Sequence, residues 1–306
     1  MKKNLLALAI LITGNLLMAQ SSDIDWLWFS EGYNSDFGTS ITTDDNFVYA
    51  AGVLNDTCYF GDSMFISKGI YDFYISKFNK EGTPIWIKQF GSSGYDRCSD
   101  IIHHKGHLYA TGFFADTLYF ADTMLISAGS YAMFLFDMDV NGNINGMKKF
   151  GGTGSDQGYA LCTDNEDNIC WTGIFQDTLV IDGSEIVSQG EFDMFIAKLS
   201  NDGELLWINT AGGPEEALGL ALSTDKYDNI FITGSFEDTA TFAGTTISSM
   251  GNQDIFLVKY SSSGEQIWLQ TAGGEWGDQA SAITIELSPS FFTATPSRLK
   301  TGSLSK

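Results

Sequence analysis

Apolar positions along this chain come in short runs broken by clusters of Gly, Asp, Asn and Ser, and one such run returns four times. It reads VYAAGVLNDT at Val48–Thr57, LYATGFFADT at Leu108–Thr117, ICWTGIFQDT at Ile169–Thr178 and IFITGSFEDT at Ile230–Thr239. Its glycine falls at Gly52, Gly112, Gly173 and Gly234, at spacings of 60, 61 and 61 residues. A fixed period of this size marks a repeat architecture, in which each unit buries its apolar faces against its neighbours. A tryptophan keeps the period at Trp26, Trp86, Trp207 and Trp268, with Gly146 in its place in the middle copy, and a turn glycine recurs at Gly82, Gly142, Gly203 and Gly264.

Between these landmarks each unit reads as four strands. In the last full copy they are Leu218–Thr224, Asn229–Phe236, Asp254–Tyr260 and Gln266–Ala272, all rich in β-branched and aromatic residues. That is the strand signature, and no 3.6-residue apolar stripe competes with it. The chain is therefore expected to be all-β. Apolar residues occupy both parities, Ile255 and Leu257 against Phe256 and Val258, so both faces of each small sheet need cover. A four-stranded unit that buries both faces by stacking on its neighbours is a β-propeller blade. The first strand carries small residues in register, Gly38, Cys98, Gly158 and Gly219, which suits the crowded position near the axis. The Trp strand is then outermost, its ring filling the wider gap at the periphery.

The string G-x-x-x-D, then D-x-x-x-N-I-F-x-T-G-x-F-x-D-T, then G-x-x-D-x-F-x-x-K and G-x-x-x-W resembles the SBBP-type β-propeller repeat of bacterial exported and cell-surface proteins. It covers roughly Trp26 to Thr284. The resemblance implies a module of the kind found within larger surface proteins, and it names no activity. The blades span about 36–90, 96–150, 157–210 and 218–272. A lone fourth-type strand at Asp25–Phe29 precedes them, and a lone first-type strand near Gln279–Ile285 follows. One period past Gly234 and Asp238 stand Thr295 and Leu299, so the repeat ends and 285–306 reads as a disordered, non-repeat tail. Four complete blades with orphan strands at both ends predict a truncated propeller, either an open arc or a strained four-bladed ring.

The start of the chain bears on where the protein works. Lys2 and Lys3 precede an apolar run from Leu5 to Ile12, and Ala19 offers a cleavage position, so 1–19 reads as a secretory signal peptide and 20–284 as the propeller. No apolar run reaches the ~20 residues of a membrane-spanning helix. The expectation is an exported protein, extracellular, at the cell surface or periplasmic. Removing two lysines takes the formal charge from -22 to -24, which disfavours nucleic acid and anionic lipid and leaves neutral ligands and cations. Export also permits disulfides. Cys162 and Cys170 flank one hairpin turn and are the candidate pair, whereas Cys58 and Cys98 fall in different repeats.

In a meandering blade the links from strand four to strand one and from strand two to strand three emerge on one face, and here both are long. That face is the expected binding face. Aspartates recur there at Asp36, Asp96, Asp156 and Asp278, with Ala217 in the remaining copy beside Glu215 and Glu216. A ring of such carboxylates suits a hard cation such as Ca²⁺, while the plainer role is to tie each turn to its own amides. Asp56, Asp116, Asp177 and Asp238 read as turn caps. Asp72, Asp193 and Asp254 each stand five residues before a lysine, Lys77, Lys198 and Lys259, and the second copy replaces both with Ala132 and Asp137. An odd separation puts the two on opposite faces of a strand, so a bond within the blade is not expected. His103, His104 and His107 cluster in one hairpin turn as weak transition-metal candidates. No nucleophile elbow, P-loop or dinucleotide fingerprint occurs. The leading reading is a non-catalytic extracellular interaction module for a protein or glycan partner. The alternatives are a glycan hydrolase or lyase using channel carboxylates, and a calcium-dependent adhesin or lectin.

Overall fold

The computed structural model describes residues 31–32, 35–120, 123–285 and 291–296, and what it describes is strand and turn throughout. Four antiparallel meanders follow one another. The first comprises Phe37–Thr43, Phe47–Leu54, Asp72–Asn79 and Pro84–Phe90, and the second Arg97–His104, His107–Phe114, Ala132–Asp139 and Ile144–Phe150. The third comprises Gln157–Thr163, Ile169–Phe175, Asp193–Leu199 and Leu205–Gly212, and the fourth Ala217–Thr224, Ile230–Phe236, Asp254–Tyr260 and Gln266–Ala272. In each the strands pair in chain order, which makes them propeller blades.

The first strands of successive blades lie side by side, which puts them nearest the axis. Ser40 Oγ donates to Asp100 Oδ1 at 2.6 Å, and the Leu161 amide donates to Asp100 Oδ2 at 2.8 Å, so one carboxylate ties three blades together. Burial pushes the Asp100 carboxyl above its usual range against these hydrogen bonds. Farther along, Thr224 Oγ1 donates to the Thr163 carbonyl at 2.9 Å. The gaps between blades are filled by aromatic rings, Phe73 against Phe134 at 5.1 Å between the first two and Trp171 against Phe150 at 5.0 Å between the second and third.

The repeated glycine has a steric cause. Each inner strand carries a β-bulge, after Gly38, Cys98, Gly158 and Gly219. A Cβ built on Gly112 would stand 1.9 Å from the Arg97 carbonyl oxygen, one on Gly173 2.1 Å from that of Gln157, and one on Gly234 1.7 Å from that of Leu218. No side chain fits there. The inner-strand glycines serve the contact with the preceding blade: a Cβ on Gly158 would meet Thr111 Oγ1 at 2.3 Å, and one on Gly219 would meet Thr172 Oγ1 at 2.4 Å. Those hydroxyls are already committed, donating to the carbonyls of Phe134 at 2.9 Å and Phe195 at 2.6 Å.

Three features depart from the sequence expectation or lie beyond it. The long second link contains a hairpin, Thr57–Phe60 with Ser63–Ile66 in the first unit and Thr239–Phe242 with Thr245–Ser248 in the fourth. Its strands of four residues turn on glycines at positive φ, Gly61 at 60° and Gly244 at 84°, which allows so tight a reversal. The fourth unit's hairpin pairs with the end of the previous blade's outer strand through Ala211 and Gly212, and Glu31–Gly32 makes the same contact with Cys58 and Tyr59. In the tail, Phe291–Pro296 is a strand paired with Asp278–Thr284. The signal-peptide segment and the lone strand at Asp25–Phe29 lie outside the described residues.

Among the described residues nothing covers the outward side of the first blade. Ile41 is 66% exposed, whereas Ile101, Leu161 and Leu222 at the same position are buried. The steric reading of the glycines predicts a contrast. Gly112→Ala should destabilise the protein by roughly 2–3 kcal/mol in denaturant unfolding, as overpacking against a backbone does. Gly38→Ala, whose Cβ would find its nearest neighbour, the Ala51 carbonyl oxygen, 3.9 Å away, should leave the midpoint unchanged.

Candidate binding face

The long links of neighbouring units meet on one face and are stitched by a repeated backbone bond. The residue before each third strand accepts from the start of the next inner strand: Asp96 N to Tyr71 O at 2.9 Å, Asp156 N to Tyr131 O at 3.2 Å, Ala217 N to Phe192 O at 2.8 Å and Asp278 N to Gln253 O at 2.7 Å. This positions the side chains at the mouth of the axis.

The recurrent aspartates sit beneath that stitching. Asp36 Oδ1 accepts from the Asn55 amide at 2.8 Å. Asp96 accepts from the Ser92 and Ala115 amides at 2.6 and 3.2 Å, and Asp156 from those of Gly152 and Gln176 at 2.7 and 3.4 Å. Each carboxylate thus ties its own blade's entry link to the residue after the second strand. Where Ala217 replaces the aspartate, the Glu237 amide turns to the Glu216 carbonyl at 2.9 Å. The structure does not bring Asp36, Asp96, Asp156 and Asp278 together: among the described residues no three His, Cys, Asp or Glu side chains are grouped to hold a metal ion.

The other candidates also disperse. His104 Nε2 meets Asp167 of the next blade at 2.7 Å, His107 Nδ1 meets Asp137 at 2.7 Å, and His103 stacks on Tyr49 at 5.8 Å. Cys162 and Cys170 are direct cross-strand partners, and both are free thiols in this structure. The hydrogen bond between them, with burial, raises the Cys162 thiol well above its usual range. Asp56, Asp116, Asp177 and Asp238 adopt positive φ of 56–60°, and each carbonyl accepts the amide that closes its inserted hairpin, as with Ser67 N to Asp56 O at 2.9 Å.

What the mouth does gather is aromatic. Tyr71 lies 4.9 Å from Tyr95, Tyr95 lies 6.2 Å from Tyr131, and Phe37 closes the run 6.3 Å from Tyr71. The three tyrosines are half-buried, so each ring keeps part of its surface open. Arg97 enters from the start of the second inner strand, its guanidinium 5.7 Å from the Phe37 centroid and its Nε buried without a hydrogen-bond partner. The far side of the mouth is acidic. Burial raises Glu216 above its usual range, and Glu191, Glu237 and Glu215 raise it further. Gln253 Nε2 donates to Glu216 Oε2 at 3.0 Å. Sequence reading picked out the repeated aspartates and passed over these rings. The available signal was an aromatic residue before the third strand in three of the four units, Tyr71, Tyr131 and Phe192.

No protein-family model matches the chain, and no curated protein matches it. Solved structures similar to it include a protein of unknown function from Bacteroides caccae, at 7% identity and a TM-score of 0.35, with 81% of this chain and 85% of that one covered. Another is the Pan2 WD40 domain of Neurospora crassa, at 12% identity and a TM-score of 0.41, with 82% and 69% covered. Neither bears on function. Among the described residues no helix is long and apolar enough to cross a membrane.

Burial of Asp96 and Asp156 has a measurable consequence. It pushes both carboxyls up to about 7, against the amides that favour ionisation. Between the unfolded value of about 3.9 and that folded value the native chain holds protons that the unfolded chain has released, so stability falls as pH rises through this window. Asp164 and Asp225 act in the opposite sense and only at lower pH: against the cost of burial, hydrogen bonds from Lys198, Asn168 and Asn229 among others hold them below the usual range. The melting temperature should therefore decline between about pH 5 and 8, and the double variant Asp96→Asn/Asp156→Asn should flatten that slope in calorimetry.

Proposed function

We propose that this chain is an exported, non-catalytic β-propeller interaction module of the SBBP-repeat kind, which engages a neutral glycan at its long-loop face. The run of Tyr71, Tyr95 and Tyr131 carries the reading. Half-buried rings 4.9–6.2 Å apart offer fixed apolar surface for the C–H faces of sugars. Arg97 on one side supplies donors to sugar oxygens, and Glu216 with its neighbours on the other accepts from hydroxyls. The net charge of -22 counts against an anionic ligand.

The carboxylates support a binding role over a catalytic one. A glycosidase needs two carboxyls in unlike environments. Asp96 and Asp156 are alike, both buried, both bound to amides and both raised to about 7 by the same cause. Four in-register copies of the repeat support the family reading, and the N-terminal Lys-Lys with its apolar run supports export.

Binding of the secreted chain to neutral oligosaccharides, measured on an array and then by calorimetry, tests this. Tyr95→Ala and Arg97→Ala should each weaken binding by roughly tenfold, about 1.4 kcal/mol. Tyr227→Ala, at an exposed ring in the first hairpin turn of the fourth blade, should leave it unchanged. Undiminished affinity in both site variants, with melts like the parent, would discard the face. Turnover of a glycan that Glu216→Gln abolishes would replace the reading with a catalytic one.

A further inference from the structure

The joints between blades are also closed at the outer edge, and the repeat shows how. Lys77 and Trp86 are direct cross-strand partners, as are Lys198 and Trp207. At the first joint Lys77 Nζ and Trp86 Nε1 both donate to the Val140 carbonyl in the next blade, at 2.9 and 3.4 Å. At the third joint Lys198 Nζ and Trp207 Nε1 both donate to the Ser262 carbonyl, at 3.3 and 3.1 Å. An indole and an ammonium together fill the gap and share one acceptor.

The second joint lacks both groups. Its cross-strand pair is Asp137 and Gly146. The carbonyl in register with Val140 and Ser262, two residues before the turn glycine, belongs to Asn201. A cavity of about 360 Å³ occupies the place, with Asp137 and Gly146 on one wall and Asn201 on the other. Its floor is the buried apolar surface of Tyr109, Leu135 and Ile169. A Cβ on Gly146 would come no closer than 4.0 Å to any neighbour, so this position has room for a side chain that the sequence does not supply. The Lys148 ammonium at the rim is already engaged by the Gly203 carbonyl at 2.7 Å and Glu204 Oε1 at 2.9 Å. Asp137 Oδ1 accepts from His107 and Asn145, at 2.7 and 3.4 Å. The carboxylates of Asp137 and Asp202 leave the slot acidic.

We propose that this slot is a binding site for a small aromatic ammonium compound, an aryl-ethylamine in size and charge. The ring takes the place that Trp86 and Trp207 take at the sister joints, over Tyr109, Leu135 and Ile169. An indole N–H donates to the Asn201 carbonyl. The ammonium lies at Asp137, where the other blades carry their own ammonium, and the reversal from lysine to aspartate supplies the opposite charge. A volume near 360 Å³ is at the small end of ligand pockets, which run from about 300 to 1,000 Å³, and so fits one ring with a short tail. The site lies at the outer edge of the blades, away from the long-loop face, and does not depend on the glycan reading.

Tryptamine is the probe, with indole and indole-3-propionate as neutral and anionic controls, measured against the secreted chain by calorimetry and saturation-transfer NMR. Tryptamine should bind at least tenfold more tightly than either control, and Asp137→Asn should remove that preference. Gly146→Trp places the repeat's own residue in the slot, so it should abolish binding and raise the melting temperature. Equal affinity for tryptamine and indole would overturn the charge assignment. Unchanged tryptamine binding in folded Gly146→Trp or Asp137→Asn protein would overturn the site.

Discussion

The third and fourth blades can each lie against the one before because their inner strands carry glycine, Gly158 and Gly219, where they meet its threonine hydroxyls, and within each blade backbone meets backbone at the bulge. The bulge in every inner strand drives a carbonyl toward the second strand, and at Gly112, Gly173 and Gly234 it arrives within about 2 Å of where a Cβ would be. On the other side of the inner strand, Gly158 and Gly219 bring the chain onto the threonine hydroxyls of the preceding blade. The T-G pair in the repeated phrase is therefore one device read twice: the threonine bonds its own third strand and receives the next blade's glycine.

Outward from the axis the joints are closed by successively larger groups, as a widening gap requires. Ser40, Asp100 and the Leu161 amide bridge the innermost strands, and phenylalanine rings such as Phe73 and Phe134 occupy the middle. Trp86 and Lys77 span the rim. Buried carboxylates work alongside this packing, since Asp96 and Asp156 each bind two amides that would otherwise lack partners in the tight entry turns.

Periodicity made the blades legible because a propeller repeats the same steric problem every 60 or 61 residues and meets it with the same residue types. The four strands of the last copy were readable to within a residue or so of Ala217–Thr224, Ile230–Phe236, Asp254–Tyr260 and Gln266–Ala272. The inserted hairpins were not, because strands of four residues such as Thr239–Phe242 are too short for alternation to stand out. The candidate site was legible only in outline. The aspartates were visible as a repeat, but whether Asp96 faces a channel or its own amides depends on the turn from Gly91 to Tyr95, which residue types alone do not fix. The mouth's character arises from positions that differ between copies, Tyr95 against Ser155 and Glu216, and a search for what recurs passes over what varies. The Lys–Trp pair spanned blades, as the opposite-face argument for aspartate and lysine left room for, and its loss in the second copy was visible before its place in space was.

That loss also sets one joint apart from the others. In a linear repeat the free energy is close to a sum of terms within units and terms between neighbours, so cooperativity is set by the weakest coupling. The joint between the second and third blades keeps its inner ties through Asp100 and its Trp171 contact, but at the rim Lys148, bonded to the Gly203 carbonyl and Glu204, stands in for the indole and ammonium that meet Val140 and Ser262 at the other joints. The rim of this joint therefore rests on an exposed ionic contact, Lys148 with Glu204, in place of a half-buried indole, which makes it the joint that added salt loosens first.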